Sequence, residues 1–433
     1  MPTLRVNSAA EAAEIVRPRD VLAVGLGPAH PIGFLHALGG RDDWVDLQMF
    51  GALLTDFYEV LTKPNVRYRS GFFGPAERIL RDSGADVQYV PADFRRFGPI
   101  VERLAPRVMA TACAPPDADG HLSLSLHAGA MVDELHRCGA DPERVLVVEY
   151  SDAYPRTFGL PPEHQHRLHV DEIDVLLETD AQPINLADAE PADIDRAIAQ
   201  EASRFIPDNA TLQTGIGAIP SIIATLLAEG DGGGYGVHSE MFTNGLMRLH
   251  QAGKVTNANK GEFDGFSVTT FAAGVPELYE WLHENPDVRF LPVDVVNDAR
   301  LIADNNRFVS INGATAVDLY GQVAADTIGG RQHSGAGGHE DFLAGAGLQI
   351  DDASLLCLRS SVETPEGRLS RIVPNLAPEM VVTTPRHQID VVVTEYGAAE
   401  LSGMTVRERA EALVRVAHPD FRAQLEDAAQ QLG

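Results

Sequence analysis

Apolar runs of strand length alternate with segments of helical periodicity along most of the 433-residue chain. Continuous apolar runs bounded by turn residues predict buried β-strands at "DVLAVGLG" (20–27), "RVLVVEY" (144–150), "EIDVLLET" (172–179), "DVRFLPV" (287–293), "SLLCLRS" (354–360) and "QIDVVVTEYG" (388–397). Strands that are apolar throughout and separated by helices are typical of parallel sheets covered on both faces. The pattern therefore predicts an α/β fold with mostly parallel sheets.

The chain is longer than the size at which one hydrophobic core stops growing, so two or more domains are expected. The segment "TDAQPINLADAEPADID" (179–195) is rich in Asp, Pro and Ala and is predicted to be a linker. The overlapping "DIDRAIAQEASRFI" (193–206) has the periodicity of an amphipathic helix. We therefore predict an N-terminal α/β domain at 1–185 and a C-terminal α/β domain at 186–433.

Two stretches echo each other across this boundary. "RPRDVLAVGLGPAHPIGFLHALGG" (17–40) and "FIPDNATLQTGIGAIPSIIATLLAEG" (205–230) share the order turn, strand, Gly-x-Gly turn, proline and apolar helix. The copies are too far apart for a solenoid repeat. The echo predicts two related α/β halves, one in each domain.

Charge and cysteine content exclude several function classes. Acidic residues outnumber basic ones by 62 to 34, and the net charge of -28 argues against nucleic-acid binding and against adhesion to anionic membranes. The three cysteines are too few and too widely spaced for a disulfide framework or a CxxC metal site. Since the first residues lack an apolar signal core and no run approaches a membrane span, we expect a cytoplasmic protein.

The Gly-x-Gly turns are the first candidates for a site. Neither Gly25-Leu26-Gly27 nor Gly215-Ile216-Gly217 completes the G-x-G-x-x-G pattern of a dinucleotide site. Free backbone amides at a strand-to-helix turn can nevertheless bind an anion, including the oxyanion of acyl transfer. We interpret the first turn as a packing feature and the second as functional.

Two further clusters have competing interpretations. His164, His166 and His169 are close enough in sequence for zinc, but they lie in a proline-rich stretch without helical spacing, which favours a surface loop. The segment "GGRQHSGAGGHEDFLAGAG" (329–347) is either a disordered linker or a loop whose backbone approaches a ligand. Its partly apolar flanks favour the ligand loop.

The segment "GYGVHSEMFTNG" (234–245) raises the sharpest question. In one interpretation Ser239 caps a helix and Glu240 is a first-turn acid favoured by the helix dipole. In the other, Glu240 lies at the end of a strand, where α/β sheets bind ligands, and its carboxylate is a covalent nucleophile. The residues alone leave the first interpretation ahead.

Several stretches, taken together and in order, resemble the acetyl-CoA hydrolase/transferase family, the glutamate-dependent CoA-transferases of the 4-hydroxybutyrate CoA-transferase type. These stretches span nearly the whole chain: "FFGPAER", "APPDADGHLSL", "TGIGAIPSIIATLL", "GVHSEMFTNGLMRLHQAGKVTN", "FVSINGATAVDLYGQVAADTIGG", "SGAGGHEDFLAGA" and "VVTEYGAAELSGMTVRERAEALVRVAHPDFR". The resemblance implies two similar open α/β domains of the NagB/RpiA-like type. It also implies a homodimer without a permanently bound cofactor or metal.

The resemblance further implies a mechanism. Glu240 would attack an acyl-CoA to give an acyl-glutamyl anhydride and then a glutamyl-CoA thioester, which a small carboxylic acid resolves. Coenzyme A is thus substrate and covalent intermediate. The implied catalytic residues are Glu240 with the backbones of Ile216, Gly337 and Gly338. The implied CoA and substrate contacts are Gly215, Gly217, Ser239, Met241, Asn297, Asn312, Gly335 and His339, and Arg407 and Arg409 are candidates for the CoA phosphates.

Two departures from the family pattern leave the substrate open. His339 stands where the family often has Gln, and Ser151 stands where it usually has Asn before "Pro-Arg-Thr" (155–157). An imidazole is bulkier and can titrate, so His339 is expected to alter acyl or carboxylate selectivity or to activate water. Three functions remain open: CoA transfer, acyl-CoA hydrolysis through the same glutamate, and CoA binding without catalysis.

Overall fold

The computed structural model of the protein describes residues 3–432 and divides the chain into two units. The first comprises Met1–Leu186 together with Val268–Val296, and the second comprises Ala187–Ser267 together with Asn297–Gly433. The boundary after residue 185 stays a prediction from the sequence. The predicted fold class is confirmed, because helices alternate with strands that are mainly parallel in both units.

The first unit is built on one parallel sheet. The strands of residues 3–186 are β1 (Leu4–Val6), β2 (Arg19–Leu26), β3 (Asp46–Ala52), β4 (Val66–Ser70), β5 (Val87–Tyr89), β6 (Val108–Cys113), β7 (His121–Ser123), β8 (Val145–Tyr150), β9 (Arg167–His169) and β10 (Val175–Glu178). Eight of them form the sheet in the order β1-β10-β8-β6-β2-β3-β4-β5, and every pairing in it is parallel. The remaining two, β7 and β9, form an antiparallel pair.

Helices cover this sheet. Those of residues 3–186 are α1 (Ala9–Ala13), α2 (Ile32–Gly39), α3 (Pro75–Asp82), α4 (Phe97–Leu104) and α5 (Val132–Ala140). Short 3₁₀ turns occupy Gly27–Ala29, Glu59–Thr62, Phe94–Arg96 and Val170–Glu172. Apolar side chains of β2, β3 and α2 are almost fully buried in one core cluster, so this strand-helix-strand unit is stabilised mainly by burial of apolar surface.

The second unit repeats the arrangement. Its helices are α6 (Asp193–Ser203), α7 (Ala218–Glu229), α8 (Asn244–Gln251), α11 (Ala299–Ala303), α12 (His339–Gly345), α13 (Val406–Val416) and α14 (Pro419–Ala429), with a 3₁₀ turn at Arg386–Gln388. The segment assigned to the first unit between α8 and α11 carries α9 (Pro276–Leu282), α10 (Val293–Val296), β13 (Ser267–Ala272) and β14 (Val288–Phe290). Helix α6 confirms the amphipathic helix predicted after the linker.

The strands of the second unit are β11 (Thr211–Thr214), β12 (Gly236–Phe242), β15 (Phe308–Gly313), β16 (Ala316–Asp318), β17 (Val323–Ala324), β18 (Thr327–Ile328), β19 (Arg331–Gln332), β20 (Ala353–Cys357), β21 (Ser361–Thr364), β22 (Gly367–Ser370), β23 (Ile372–Val373), β24 (Val391–Thr394) and β25 (Gly397–Glu400). Six of them lie side by side in the order β12-β11-β15-β20-β24-β25. The pairings from β12 to β24 are parallel, and β25 is antiparallel to β24.

The echo in the sequence corresponds to the same local topology in each unit. In the first, β2 is followed by α2 and pairs with β3 on one side and β6 on the other. In the second, β11 is followed by α7 and pairs with β12 and β15 in the same way. The next strand in the chain, β12, pairs on one side of β11, and the later strand β15 pairs on the other. The carboxyl end of β11 is therefore a topological switch point, where open α/β sheets bind ligands.

Candidate active site

Glu240 lies on a strand and not at a helix start. It is the fifth residue of β12, whereas α8 begins at Asn244 and is capped by Thr243, whose hydroxyl accepts a hydrogen bond from Leu246 N at 3.5 Å. The interpretation of Glu240 as a helix-capping neighbour is therefore wrong. Parallel pairing of β12 with β11 sets the Glu240 carboxylate at the switch-point edge of the sheet.

Ser239 and Met241 hold the end of this strand. The Ser239 side chain is fully buried; its hydroxyl donates to Thr214 O at 3.1 Å and accepts from Thr214 N at 3.3 Å. The same hydroxyl lies 2.9 Å from Met241 O, and Met241 is itself buried. These contacts join the carboxyl ends of β11 and β12, so the two residues fix the strand that carries the carboxylate.

The amide group of Asn297 holds the Glu240 carboxylate. Asn297 Nδ2 donates to Glu240 Oε2 at 2.7 Å and to Asp341 Oδ2 at 3.0 Å, and both Asn297 and Asp341 are buried. Burial raises the pKa of Glu240 to about 8, the Asn297 hydrogen bond opposes this shift, and the nearby Asp341 charge adds to it. A carboxyl group with a pKa near the working pH is a frequent feature of active sites.

The glycine-rich loop before α12 reaches this carboxylate. A side chain on Gly338 would overlap Glu240 Oε2 and would lie 2.5 Å from Asn297 Nδ2, so only glycine fits beside the carboxylate. Gly335 and Gly337 belong to the same loop, which leads directly into α12. The backbone of this loop lies against Glu240 itself, and its predicted close approach to a ligand stays a prediction.

The second Gly-x-Gly turn is open. A side chain on Gly215 would meet nothing within 4 Å, and Ile216 is 58% exposed. Gly217 precedes α7 with φ +120°, a conformation that side chains other than glycine rarely adopt, and it caps the helix without a side-chain hydrogen bond. The turn therefore has room for a bound group beside its backbone.

Asn312 and His339 make contacts of a different kind. Asn312, at the end of β15, donates from Nδ2 to Gln213 Oε1 at 3.2 Å and is half-buried. His339 Nε2 lies 2.8 Å from Thr384 Oγ1, and burial lowers the pKa of His339 to about 4. The imidazole is thus neutral at physiological pH and bound to a neighbouring loop.

Neither arginine of the "TVRERA" segment is arranged as a free phosphate ligand. Arg409 donates to three backbone carbonyl oxygens, those of Leu401, Arg386 and Ile389, and thereby ties α13 to the preceding loops. Arg407 pairs with Glu411 one turn along the helix at 3.1 Å. In the described residues, no group of three or more His, Cys, Asp or Glu side chains is arranged to hold a metal ion.

The three histidines of segment 164–169 make different contacts. His166 is buried, with Nε2 at 2.9 Å from Ser125 O, and burial lowers its pKa to about 4. His169 caps the short turn that follows it by accepting from Asp171 N. His164 is half-buried in the loop before them, and Leu160 N donates to its carbonyl oxygen. The three cysteines are free and buried.

Sequence reasoning missed Asp341. It lies three residues after Gly338 in the first turn of α12, a spacing that puts two helix positions on one face. That spacing could have identified Asp341 from the sequence. If Gly338 is predicted to approach Glu240, the residue three positions later on the same helix face is expected near Glu240 as well. Gln213, the partner of Asn312, was also missed; it points from the middle of β11, where periodicity indicates only a core strand.

Comparison with known proteins shows similarity to CoA-transferases over nearly the full chain. The family model described as acetyl-CoA hydrolase/transferase C-terminal domain matches residues 274–429. The chain is 32% identical to the succinyl-CoA:cyclohexane-1-carboxylate CoA transferase of Geobacter metallireducens, over 99% of this chain and 95% of that protein. The chain belongs to the acetyl-CoA hydrolase/transferase family. As its relatives indicate, it is an enzyme of the CoA-transferase type.

Other members of the acetyl-CoA hydrolase/transferase family agree in sequence and in fold. The 4-hydroxybutyrate coenzyme A transferase of Clostridium kluyveri is 33% identical, over 94% of this chain and 92% of that protein. The crystal structure of RipA from Yersinia pestis superposes with a TM-score of 0.89 at 30% identity, covering 99% of this chain and 97% of that one. The likeness extends over both units, so the family assignment does not depend on the site alone. In the described part of the chain, no helix combines the length and apolar character needed to cross a bilayer.

Proposed function

We propose that the protein is an acyl-CoA:carboxylate CoA-transferase in which Glu240 is the covalent nucleophile. The observation that carries this proposal is the position of the Glu240 carboxylate at the switch-point edge of the sheet. It is held there by one amide of Asn297 and approached by the backbone of Gly338.

The reaction proceeds through exchange of acyl groups on Glu240. One carboxylate oxygen attacks the acyl-CoA carbonyl, the C–S bond breaks, and CoA leaves as a thiolate from an acyl-glutamyl anhydride. The thiolate then attacks the glutamyl carbonyl and releases the first acid as its carboxylate. An incoming carboxylate attacks the glutamyl-CoA thioester and expels the CoA thiolate, which leaves a second acyl-glutamyl anhydride. The thiolate then attacks the acyl carbonyl of this anhydride and releases the new acyl-CoA and the Glu240 carboxylate. Each thioester is replaced by another, so the cycle needs no nucleoside triphosphate.

Backbone amides are proposed to stabilise the negative oxygen of each tetrahedral intermediate. The candidates are Ile216 N at the open turn and the amides of Gly337 and Gly338 beside the glutamate. Asn297 Nδ2 already donates to Glu240 Oε2, the oxygen that becomes the glutamyl carbonyl when the other oxygen is acylated. Loss of one such donor typically costs about 3 kcal/mol of transition-state stabilisation.

The proposed substrates are an acyl-CoA and a small carboxylic acid. The relatives are named for succinyl-CoA with cyclohexane-1-carboxylate and for 4-hydroxybutyrate, which supports a carboxylate acceptor without choosing one. Coenzyme A enters as a substrate and becomes a covalent intermediate. A cytoplasmic homodimer, with no nucleic acid or membrane as partner, is part of the same proposal.

The test is to mix the protein with a panel of short acyl-CoAs, quench in acid and map the covalent CoA mass by peptide. We expect an adduct on the peptide that contains Glu240, and its loss in Glu240→Ala together with a fall in turnover of at least about 1,000-fold. Glu340→Ala is the matched control. Its carboxylate accepts a hydrogen bond from the Thr384 hydroxyl, so the adduct should remain.

The fate of the adduct decides among the three functions. Clearance by a carboxylic acid, with a new acyl-CoA as product, supports the transferase and identifies the acceptor. Clearance by water alone at the rate of turnover would replace the transferase with an acyl-CoA hydrolase. Binding of CoA without an adduct from any acyl-CoA would contradict the covalent mechanism.

A further inference from the structure

One amide nitrogen bridges the half-buried Glu240 carboxylate and the buried Asp341 carboxylate in the second unit. Asn297 Nδ2 lies 2.7 Å from Glu240 Oε2 and 3.0 Å from Asp341 Oδ2. A primary amide nitrogen carries two hydrogens, so it can donate one to each carboxylate. Asn297 is fully buried and Asp341 is 1% exposed, so water does not compete easily for these hydrogen bonds.

The carboxylates determine which way the amide points. Asn297 Oδ1 is buried and has no hydrogen-bond partner among residues 3–432, so nothing on the oxygen side fixes the group. If the amide were turned over, Oδ1 would face two acceptors, and the hydrogens would point elsewhere. The bond to Asp341 therefore maintains the orientation that presents an N–H to Glu240.

We propose that Asp341 is a positioning residue for CoA transfer, which keeps the Asn297 amide directed at the Glu240 carboxyl group through every intermediate. This inference rests on the proposed role of Glu240 as the nucleophile. When Glu240 is acylated or joined to CoA it loses its charge and attracts the amide less strongly. Asp341 retains its bond to Asn297 at that stage, so the N–H remains available to the oxygen of the next tetrahedral intermediate.

Asp341 also acts on Glu240 by its charge. Both carboxylate oxygens lie within 3.0 Å of one nitrogen, so they are no more than about 6 Å apart, a range in which like charges disfavour ionisation. The neighbouring titratable groups of α12 are directed elsewhere, since His339 and Glu340 both contact Thr384. Asp298, which follows Asn297, caps α11 and pairs with Arg300.

Two substitutions separate orientation from charge. Asp341→Asn keeps an acceptor oxygen but removes the charge, so the acid limb of the pH profile of kcat/KM should move to lower pH by about half a unit or more. Asp341→Leu removes the acceptor, so kcat at the plateau should fall about 30-fold. Glu340→Gln removes a charge from the adjacent position of the same helix and should leave the acid limb in place.

A double-mutant cycle tests the route of the effect. Asn297→Ala removes the amide, and adding Asp341→Leu to it should cost no more than about 2-fold in kcat, since Asp341 acts through that amide. The proposal would be overturned if the fold-losses in kcat of the two single variants multiplied in the double variant. It would also be overturned if Asp341→Asn did not move the acid limb of the pH profile. If Asp341→Leu does not fold, the nearly isosteric Asp341→Asn still gives the decisive pH profile. Failure here with a normal Glu240 adduct in the wild type leaves the proposed function intact, whereas absence of that adduct rejects it separately.

Discussion

The two Gly-x-Gly turns follow equivalent strands, yet they have opposite surroundings. In the first unit a side chain on Gly25 would lie 2.5 Å from Ala29 Cβ, and Leu26 is buried. In the second unit a side chain on Gly215 would meet nothing within 4 Å, and Ile216 is exposed. The first glycine is needed for packing within the protein, whereas the second leaves a space that the protein does not fill.

The helices after the two turns differ in the same sense. The first amides of α2, Gly33 N and Phe34 N, donate to the buried Glu149 carboxylate at 3.0 and 2.9 Å. Gly217, at the start of α7, has no side-chain capping bond. The first copy of the motif thus satisfies its helix terminus with the Glu149 carboxylate, whereas the second has free space beside its turn. The same motif is packed in the first unit, and we propose that it serves the site in the second.

The largest expected effect comes from replacing the two carboxylates. Glu149→Ala leaves three donors, Gly33 N, Phe34 N and the Thr179 hydroxyl, without their acceptor. We therefore expect a loss of about 3 kcal/mol in the free energy of unfolding at about pH 5. Because burial raises the pKa of Glu149, its ionisation already costs some stability at higher pH, and the loss should be smaller at about pH 9.

Glu240→Ala should change with pH in the same direction, but far enough to become a net stabilisation at high pH. With a folded-state pKa of about 8 against an ordinary value of 4.5, the unfolded state releases the proton first, so wild-type stability falls as pH rises through this window. The variant should be about 1 kcal/mol less stable than wild type near pH 5 and about 3 kcal/mol more stable near pH 9. Urea denaturation at both pH values measures the two effects, and a Glu240→Ala variant that is less stable than wild type at both pH values would contradict the comparison.

The glycines provide the next test. Gly25→Ala forces a methyl group against Ala29, and such overpacking should cost about 2 kcal/mol while the folded fraction keeps its turnover. Gly215→Ala should leave the free energy of unfolding within about 0.5 kcal/mol, but lower kcat/KM about 10-fold by filling space meant for the acyl-CoA. Thermal denaturation together with steady-state kinetics distinguishes them. Loss of stability at Gly215 with unchanged kinetics would show that both turns serve packing.

Much of this contrast was accessible from the sequence. Apolar runs located β2, β8, β10, β14, β20 and β24, and the repeated strand-turn-helix pattern predicted the related topology of the two units. The same pattern could not distinguish a packed Gly25 from an open Gly215, because that difference depends on what the rest of the fold places against each turn. Local preference also misassigned Glu240, because strand pairing of β12 with β11 outweighs the helix-start signal of Ser-Glu.

The partners of Glu240 show a second limit of sequence reasoning. Asn297 was anticipated through the family resemblance, but Asp341 was not, because the contact joins residues 44 positions apart. The side-chain direction of His339 was equally inaccessible, since it depends on Thr384, another residue distant in sequence. Periodicity predicts which face of a helix or strand is buried, but it does not specify which polar group of a neighbouring element lies against that face.

The smallest expected effect on kcat/KM is that of replacing His339. This substitution tests whether His339 belongs to the proposed site or only supports it. Its neighbour Gly338 lies against Glu240, the proposed nucleophile, but the imidazole bonds Thr384 and has a pKa lowered by burial to about 4. A group that is neutral throughout the working range cannot contribute a titration there. His339→Gln, which restores the usual family residue, should therefore change kcat/KM by less than about 3-fold, with a pH profile parallel to wild type. A shift in preference among acceptor acids, measured by competition, or the loss of an inflection near neutral pH, would instead assign His339 to the site and extend the open region of the second unit beyond its glycines.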